Sequence, residues 1–173
     1  MPSRLRVPLG YVLALVVLVL AHPTPLGVVL GLLIAIPGEA LRVWASGHIE
    51  KTRSLATGGP YAHTRNPLYL GSMLMALGTA IASGSLLAGL ALALYLALFY
   101  PAVIREESAF LARTVPAYAA WARDVPAFLP RPTPGGPAAT QFSWERVLRN
   151  REWKAALALP GMVLLFSLRE LFR

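Results

Sequence analysis

Three groups of side chains able to do chemistry stand out in the 173 residues. The first lies in "GPYAHTRNPLYLG", residues 59–71, which gathers Tyr61, His63, Arg65, Asn66 and Tyr69 around Pro67. Asn is a strong N-cap and Pro is favoured at the first helical position, so a helix should start at Asn66-Pro67. The backbone N–H groups at a helix start attract anions, and Arg65 reinforces that preference. A carboxylate or phosphate suits such a place. The other reading is a plain helix start, with Arg65 reaching to lipid headgroups. The second group is Glu106-Glu107 in "REESAFLARTVPAYAAWARDVPAFLP", residues 105–130. Adjacent carboxylates suit a cationic guest or a ribose diol, or they open a solvated surface helix. A third pair, Glu39 and Arg42 at i and i+3, follows Pro37-Gly38. It is either a local ion pair or a pair whose arginine faces the same site.

Composition says what must hold these residues. Charged residues make up 14% of the chain and apolar ones 56%. A soluble domain carries about 25% charged residues, so this chain cannot wet an ordinary surface and should be embedded in lipid. The net charge of +8 comes from Lys and Arg clustered between apolar runs. That pattern fits anionic headgroups or anionic ligands better than nucleic acid. No cysteine is present, which removes disulfides, thiolate metal sites and a Cys nucleophile. His22, His48 and His63 have no metal-ligand spacing, so no metal is expected.

A membrane span needs roughly 20 mostly apolar residues. Five candidates meet or approach this: residues 8–21, 26–45, 67–83, 85–104 and 153–172. The first has no small-residue cleavage signature and reads as a retained span. The second carries Gly27 and Gly31 in a spacing that permits close helix packing. Only "SGS" separates the third from the fourth, which predicts a tight antiparallel hairpin. The fifth is short and contains Pro160, and an interfacial helix is its alternative. The expected architecture is a single all-α domain over residues 1–173, a polytopic membrane bundle of about five transmembrane helices. Arg4 and Arg6, then Lys51, Arg53 and Arg65, then the arginines of 105–152 all fall on one side. "HPTP" and "SGS" carry no Lys or Arg. By the positive-inside rule the basic side is cytoplasmic, in a bacterial inner membrane. Segments 46–66 and 105–152 then share the cytoplasmic face. Phe110, Leu111, Tyr118 and Trp121 give the second an apolar side that should lie along the bilayer surface.

Together the segments offer an anion cradle, a carboxylate pair and aromatic rings. S-adenosylmethionine has a matching set of groups: carboxylate, ammonium, sulfonium, ribose and adenine. The residues alone make it one candidate among others.

"GGPYAHTRNPLYLG" and, one hairpin later, "REESAFLARTVPAYAAWARDVPAFLP" resemble the isoprenylcysteine carboxyl methyltransferase and phospholipid methyltransferase superfamily. Its pattern is roughly G-P-Y-x-x-x-R-H-P-x-Y-x-G, then E-E-x-x-L, then Y-x-x-Y and V-P-x-F-x-P. The likeness covers about residues 40–131. It implies an integral membrane enzyme that methylates a lipid-like or isoprenoid acceptor, on carboxylate or amine, with S-adenosylmethionine at the cytoplasmic face. Its motif positions imply cofactor contacts from Tyr61, Asn66, Pro67, Tyr69 and Glu107; His63, three residues before Asn66, is either a further contact that substitutes for the family's His or a surface residue, and Arg42, Arg65 and Glu106 are the catalytic candidates. Asn66 stands where the eukaryotic pattern has His, and prokaryotic members often read R-N-P. Because an amide does not titrate, acid–base chemistry at position 66 is disfavoured. Trp121 replaces the second Tyr, and Val115-Pro116 replaces Phe-Gly.

Methyl transfer requires mainly alignment and exclusion of water. A carboxylate acceptor needs no base, and an amine acceptor would use Glu106 or Glu107. No phosphate-binding glycine loop follows a strand, so a soluble Rossmann methyltransferase core is absent. Two rivals remain. A sterol-reductase-type membrane enzyme would bind NADPH, whose phosphates leave Glu106-Glu107 unexplained. A non-enzymatic small membrane protein such as a transporter subunit would need a polar path that spans one, three and four do not offer.

Overall fold

The computed structural model describes residues 2–50, 55–135 and 140–171, with side chains described from Pro8 onward. Lys51, Arg53, the side chains of Arg4 and Arg6, and Phe172 lie outside the described residues. The helices in chain order are α1 (Pro2–Leu20), α2 (Pro25–Ser46), α3 (Pro67–Ser83), α4 (Leu86–Thr114), α5 (Tyr118–Asp124), α6 (Trp144–Arg149), α7 (Trp153–Ala156) and α8 (Ala158–Leu171). A 3₁₀ turn, Gly59–Ala62, precedes α3. No strand occurs among the described residues, so the all-α expectation holds.

The start of α2 is fixed by Pro25 at its first turn and by the Thr24 hydroxyl, which accepts from the Gly27 N–H at 3.1 Å. α2 and α3 then pack antiparallel through two glycine pairs seven residues apart on each helix. Gly31 faces Gly78, and Gly38 faces Gly71. A Cβ on Gly38 would lie 2.7 Å from the Gly71 carbonyl, and one on Gly71 2.6 Å from the Gly38 carbonyl. Seven residues are about two helical turns, so both pairs sit on one face of each helix. Gly31 of the expected spacing takes part in this contact. Its productive partner along α2 is Gly38, and the Gly27 position touches Thr24 and the end of α3 instead.

The α3–α4 turn is the tight hairpin the sequence implies. Gly84 adopts φ +61°, which a Cβ would disfavour, and the Ser85 hydroxyl caps α4 by accepting from Ala88 N at 3.3 Å. The His22 N–H donates to Ser83 O at 2.6 Å, so the α1–α2 and α3–α4 turns share one end of the bundle. A core of Val17, Ala21, Ala82, Ala88 and Phe166 fills that end. The opposite end is filled by Ala45, Tyr61, Tyr118, Trp121 and Val125.

Among the described residues, two helices are long and apolar enough to cross a membrane, α2 and α4. Their apolar side chains, including Leu33, Leu90, Leu94 and Leu98, face outward rather than into a core. This is a helical membrane protein. The expectation of five spans is corrected, because α3 and the apolar part of α1, Pro8–Leu20, are shorter. The last candidate breaks at Leu157 into α7 and the 14-residue α8. At 1.5 Å per residue α8 extends about 21 Å, short of the ~30 Å hydrocarbon core. α4 departs from expectation in the other direction. It passes through Pro101 and continues to Thr114, 29 residues in all, so Glu106 and Glu107 ride on the same helix. The surface-helix reading of 110–121 is also corrected. Tyr118 and Trp121 are buried against Ala45 and Tyr61, folding α5 onto the end of the bundle.

Candidate functional site

The segment before α3 is held by close backbone packing. Gly58 and Gly59 leave room for Thr140 and for the His48 ring, and Gly59 takes φ +55°. Residues 62–66 run beside 126–135. Arg65 N donates to Pro126 O at 2.8 Å, Gly135 N to Ala62 O at 2.7 Å, and Arg131 N to His63 O at 3.0 Å. The buried Thr64 hydroxyl donates to Phe128 O at 3.0 Å. The "VPAFLP" motif is thus the strap that fixes the helix start.

One cavity of about 560 Å³ opens beside it, within the range of small-molecule sites. Arg42, Tyr61, Arg65, Asn66, Pro67, Tyr69 and Glu107 all line it. The structure therefore brings together seven of the nine expected residues, from three separate stretches. The other two fall elsewhere. Glu106 is exposed and does not line the cavity, because it is one helical step away from Glu107 on α4. His63 also lies off the lining. Its Nδ1 is 2.8 Å from Arg131 O, and since a carbonyl only accepts, that nitrogen carries the proton. Its place is in the strap. Asn66 occupies the N-cap position without capping: its Nδ2 donates to Ala127 O at 2.9 Å, so the helix start keeps its positive end toward the cavity.

The cavity lining holds polar groups of both signs. The Tyr69 hydroxyl donates to Glu107 Oε2 at 3.0 Å, with the Tyr69 ring edge-on to Tyr100 at 5.2 Å. Three buried donors of the lining have no partner among the described residues: Arg42 Nε, Arg65 Nε and Trp121 Nε1. Arg42 Nη1 donates to Leu68 O at 3.3 Å and to the Ser72 hydroxyl, while Nη2 pairs with Glu152. Burial, then the negative charges of Glu107 and Glu152, push the Tyr61 phenol well above its usual 10.0, so it stays protonated. Ser72, Trp121 and Glu152 were not anticipated as site residues. Ser72 is a hydroxyl one turn after Leu68 in an apolar helix, a signal that was there to be read. Trp121 looks like an ordinary interface anchor, and Glu152 belongs to no motif. No group of three or more metal-ligating side chains occurs among the described residues.

An all-helical membrane protein with a cavity lined by polar groups of both signs at one end of its bundle is the class these features define. Within that class, residues 38–117 match the phospholipid methyltransferase family, so the resemblance stands over the first motif and over the second as far as Ala117. The Cupriavidus metallidurans "cobalt-zinc-cadmium resistance protein CzcN" is 43% identical over 110 residues, covering 62% of this chain and 51% of that protein. The Alcaligenes xylosoxydans xylosoxydans "nickel-cobalt-cadmium resistance protein NccN" is 34% identical over 138 residues, covering 76% of this chain and 62% of that protein. The chain thus spans between half and two thirds of the length of these relatives. No solved structure matches it.

Proposed function

We propose that this chain is an integral membrane methyltransferase that uses S-adenosylmethionine to methylate a lipid-like or isoprenoid acceptor at the cytoplasmic face. The observation that carries the reading is one cavity, lined mainly from the family-matched region and closed by Tyr118 and Trp121, that holds both unpartnered donors and a carboxylate. Unpartnered donors on Arg42, Arg65 and Trp121 suit the methionine carboxylate, and Glu107 suits the ribose hydroxyls or the ammonium. When bound, the cofactor would supply an electrophilic methyl group on a sulfonium for transfer to the acceptor's oxygen or nitrogen. The protein's part is to hold the two in line and to keep water out. Tyr61, protonated and buried, offers a neutral hydrogen bond, and Tyr95, Tyr100 and Phe110 line the side where an apolar acceptor would lie. Arg105, Arg113 and Arg123 at the cavity end favour the cytoplasm for that end. The relatives' names point to metal resistance. We take such a role, if shared, to run through methylation of a membrane component.

The test is ligand-induced stabilisation of the detergent-purified protein. S-adenosylhomocysteine at 100 times its Kd should add about 2.7 kcal/mol, seen as a raised Tm, with no effect of NADPH. A shift with NADPH alone would select the reductase reading.

A further inference from the structure

We propose that Glu152, which lies beyond the family-matched residues 38–117, is a positioning residue for the cavity. It holds Arg42 so that the remaining edge of the guanidinium, Nε–H, is presented to the ligand's carboxylate. The proposal rests on the methyl-donor reading above.

Arg42 is a long side chain whose position must be imposed. A guanidinium offers five N–H groups in a flat fork. Nη1 is taken by Leu68 O and the Ser72 hydroxyl, and Nη2 by Glu152, while Nε is buried without a partner among the described residues. Two carboxylates compete for this one cation. Glu39 lies one turn earlier on α2, with both its oxygens buried and without partners. It lines a different groove, with Ile36, Val43 and Trp44. Were Arg42 to pair with Glu39, its fork would turn away from the cavity. Glu152 prevents this because the chain around it is pinned to the end of α2. Ser143 N donates to Gly47 O at 3.0 Å, and Asn150 Nδ2 donates to Ser46 O at 2.9 Å and Ile49 O at 3.1 Å. Glu152 N donates to Val147 O at 3.2 Å. The carboxylate is itself buried, so it needs Arg42 as much as Arg42 needs it.

The experiment is calorimetry on monodisperse, detergent-purified protein with two probes. S-adenosylhomocysteine carries the amino acid carboxylate. 5′-Methylthioadenosine is a related nucleoside thioether without it. Glu152→Gln should weaken S-adenosylhomocysteine about tenfold, the scale of one charge-assisted hydrogen bond, and leave methylthioadenosine unchanged. Glu152→Asp, which keeps the charge but retracts it, should give a smaller loss on the same probe alone and serves if the Gln variant does not fold. In an Arg42→Ala background, Glu152→Gln should add less than about twofold, because its effect passes through Arg42. Equal losses on both probes, no loss on either, or a full additional loss without Arg42 would each overturn the proposal. A parent protein that binds neither probe would instead remove the methyl-donor reading itself.

Discussion

Glu106 and Glu107 are chemically identical neighbours that the structure sends to different places, and substituting each one separates cavity from surface. Glu107 lines the cavity and accepts from Tyr69 at 3.0 Å, whereas Glu106 is exposed and off the lining. Gln preserves volume and one acceptor but removes the charge. A hydrogen bond to a charged group is worth roughly 1.5–3 kcal/mol. Glu107 sits at an exposed rim, where water competes, so the lower end applies. About 1.5 kcal/mol corresponds to roughly tenfold in affinity. Glu107→Gln should therefore weaken S-adenosylhomocysteine about tenfold by calorimetry, and Glu106→Gln should leave it within about twofold. Tyr69→Phe should give a smaller loss, since it frees the carboxylate to move without discharging it. Equal affinity for the two Gln variants would refute the reasoning, because it would mean that the difference in their placement on α4 has no bearing on the ligand.

Three further outcomes follow from the packing, the buried phenol and the arrangement of the turns. Gly71→Ala places a Cβ 2.6 Å from the Gly38 carbonyl and 2.7 Å from Arg42 Cγ. It should cost about 1–3 kcal/mol of stability by overpacking. It should also weaken S-adenosylhomocysteine, whereas Gly78→Ala, which meets Gly31 and Ala35, should lower the Tm alone. Tyr61 has a folded pKa above its unfolded value, so its share of stability is complete below about pH 10 and is lost as pH rises through the folded value. In a spectrophotometric titration one of the six tyrosines should ionise late, and Tyr61→Phe should abolish that component. The cysteine-free chain also permits a test of sidedness. Ser83 is fully buried, so the label belongs at exposed Leu86 in the same turn region. Leu86→Cys should react with an impermeant thiol reagent on intact cells, and Arg123→Cys only after lysis. The reverse pattern would place the cavity outside.

Legibility in the sequence followed the range of the interactions. The start of α3 at Pro67 and the α3–α4 turn at Ser83-Gly84-Ser85 are local and fell where expected, and the start of α2, one residue ahead of the expected Leu26, is set by the equally local Thr24-Pro25. The cavity members near a helix start or in a motif could be read for the same reason. What could not be read depends on chain segments meeting. Nothing near His63 indicates that the Arg131 carbonyl will accept a hydrogen bond from its ring, and nothing near Tyr118 or Trp121 distinguishes an interface anchor from a residue folded inward onto Ala45. The number of spans failed for a related reason. Hydropathy marks an apolar stretch, whereas the break at Leu157 and the continuation of α4 past Pro101 are decided by backbone geometry.

The glycines connect the fold to the site. α2 is apolar along most of its length, and nothing in its hydropathy says which face should meet α3. The two glycine pairs decide it: Gly31 against Gly78 and Gly38 against Gly71 allow the backbones to approach until carbonyls nearly touch. Arg42 is one turn beyond Gly38, so it continues the same face past the contact. The helices are antiparallel, so the partner running back from Gly71 is the first turn of α3. Arg42 therefore meets Leu68 O and Ser72 because of where the glycines are. The close approach that packs the bundle is the same one that delivers a guanidinium to the start of a helix whose N-terminal dipole already favours anions. Two like-signed features would repel unless something offset them. Glu152 provides a buried negative charge at that junction, carried in from the far end of the chain. A site made this way needs α2, α3 and residues 143–152 all in place, and no single motif within it is sufficient.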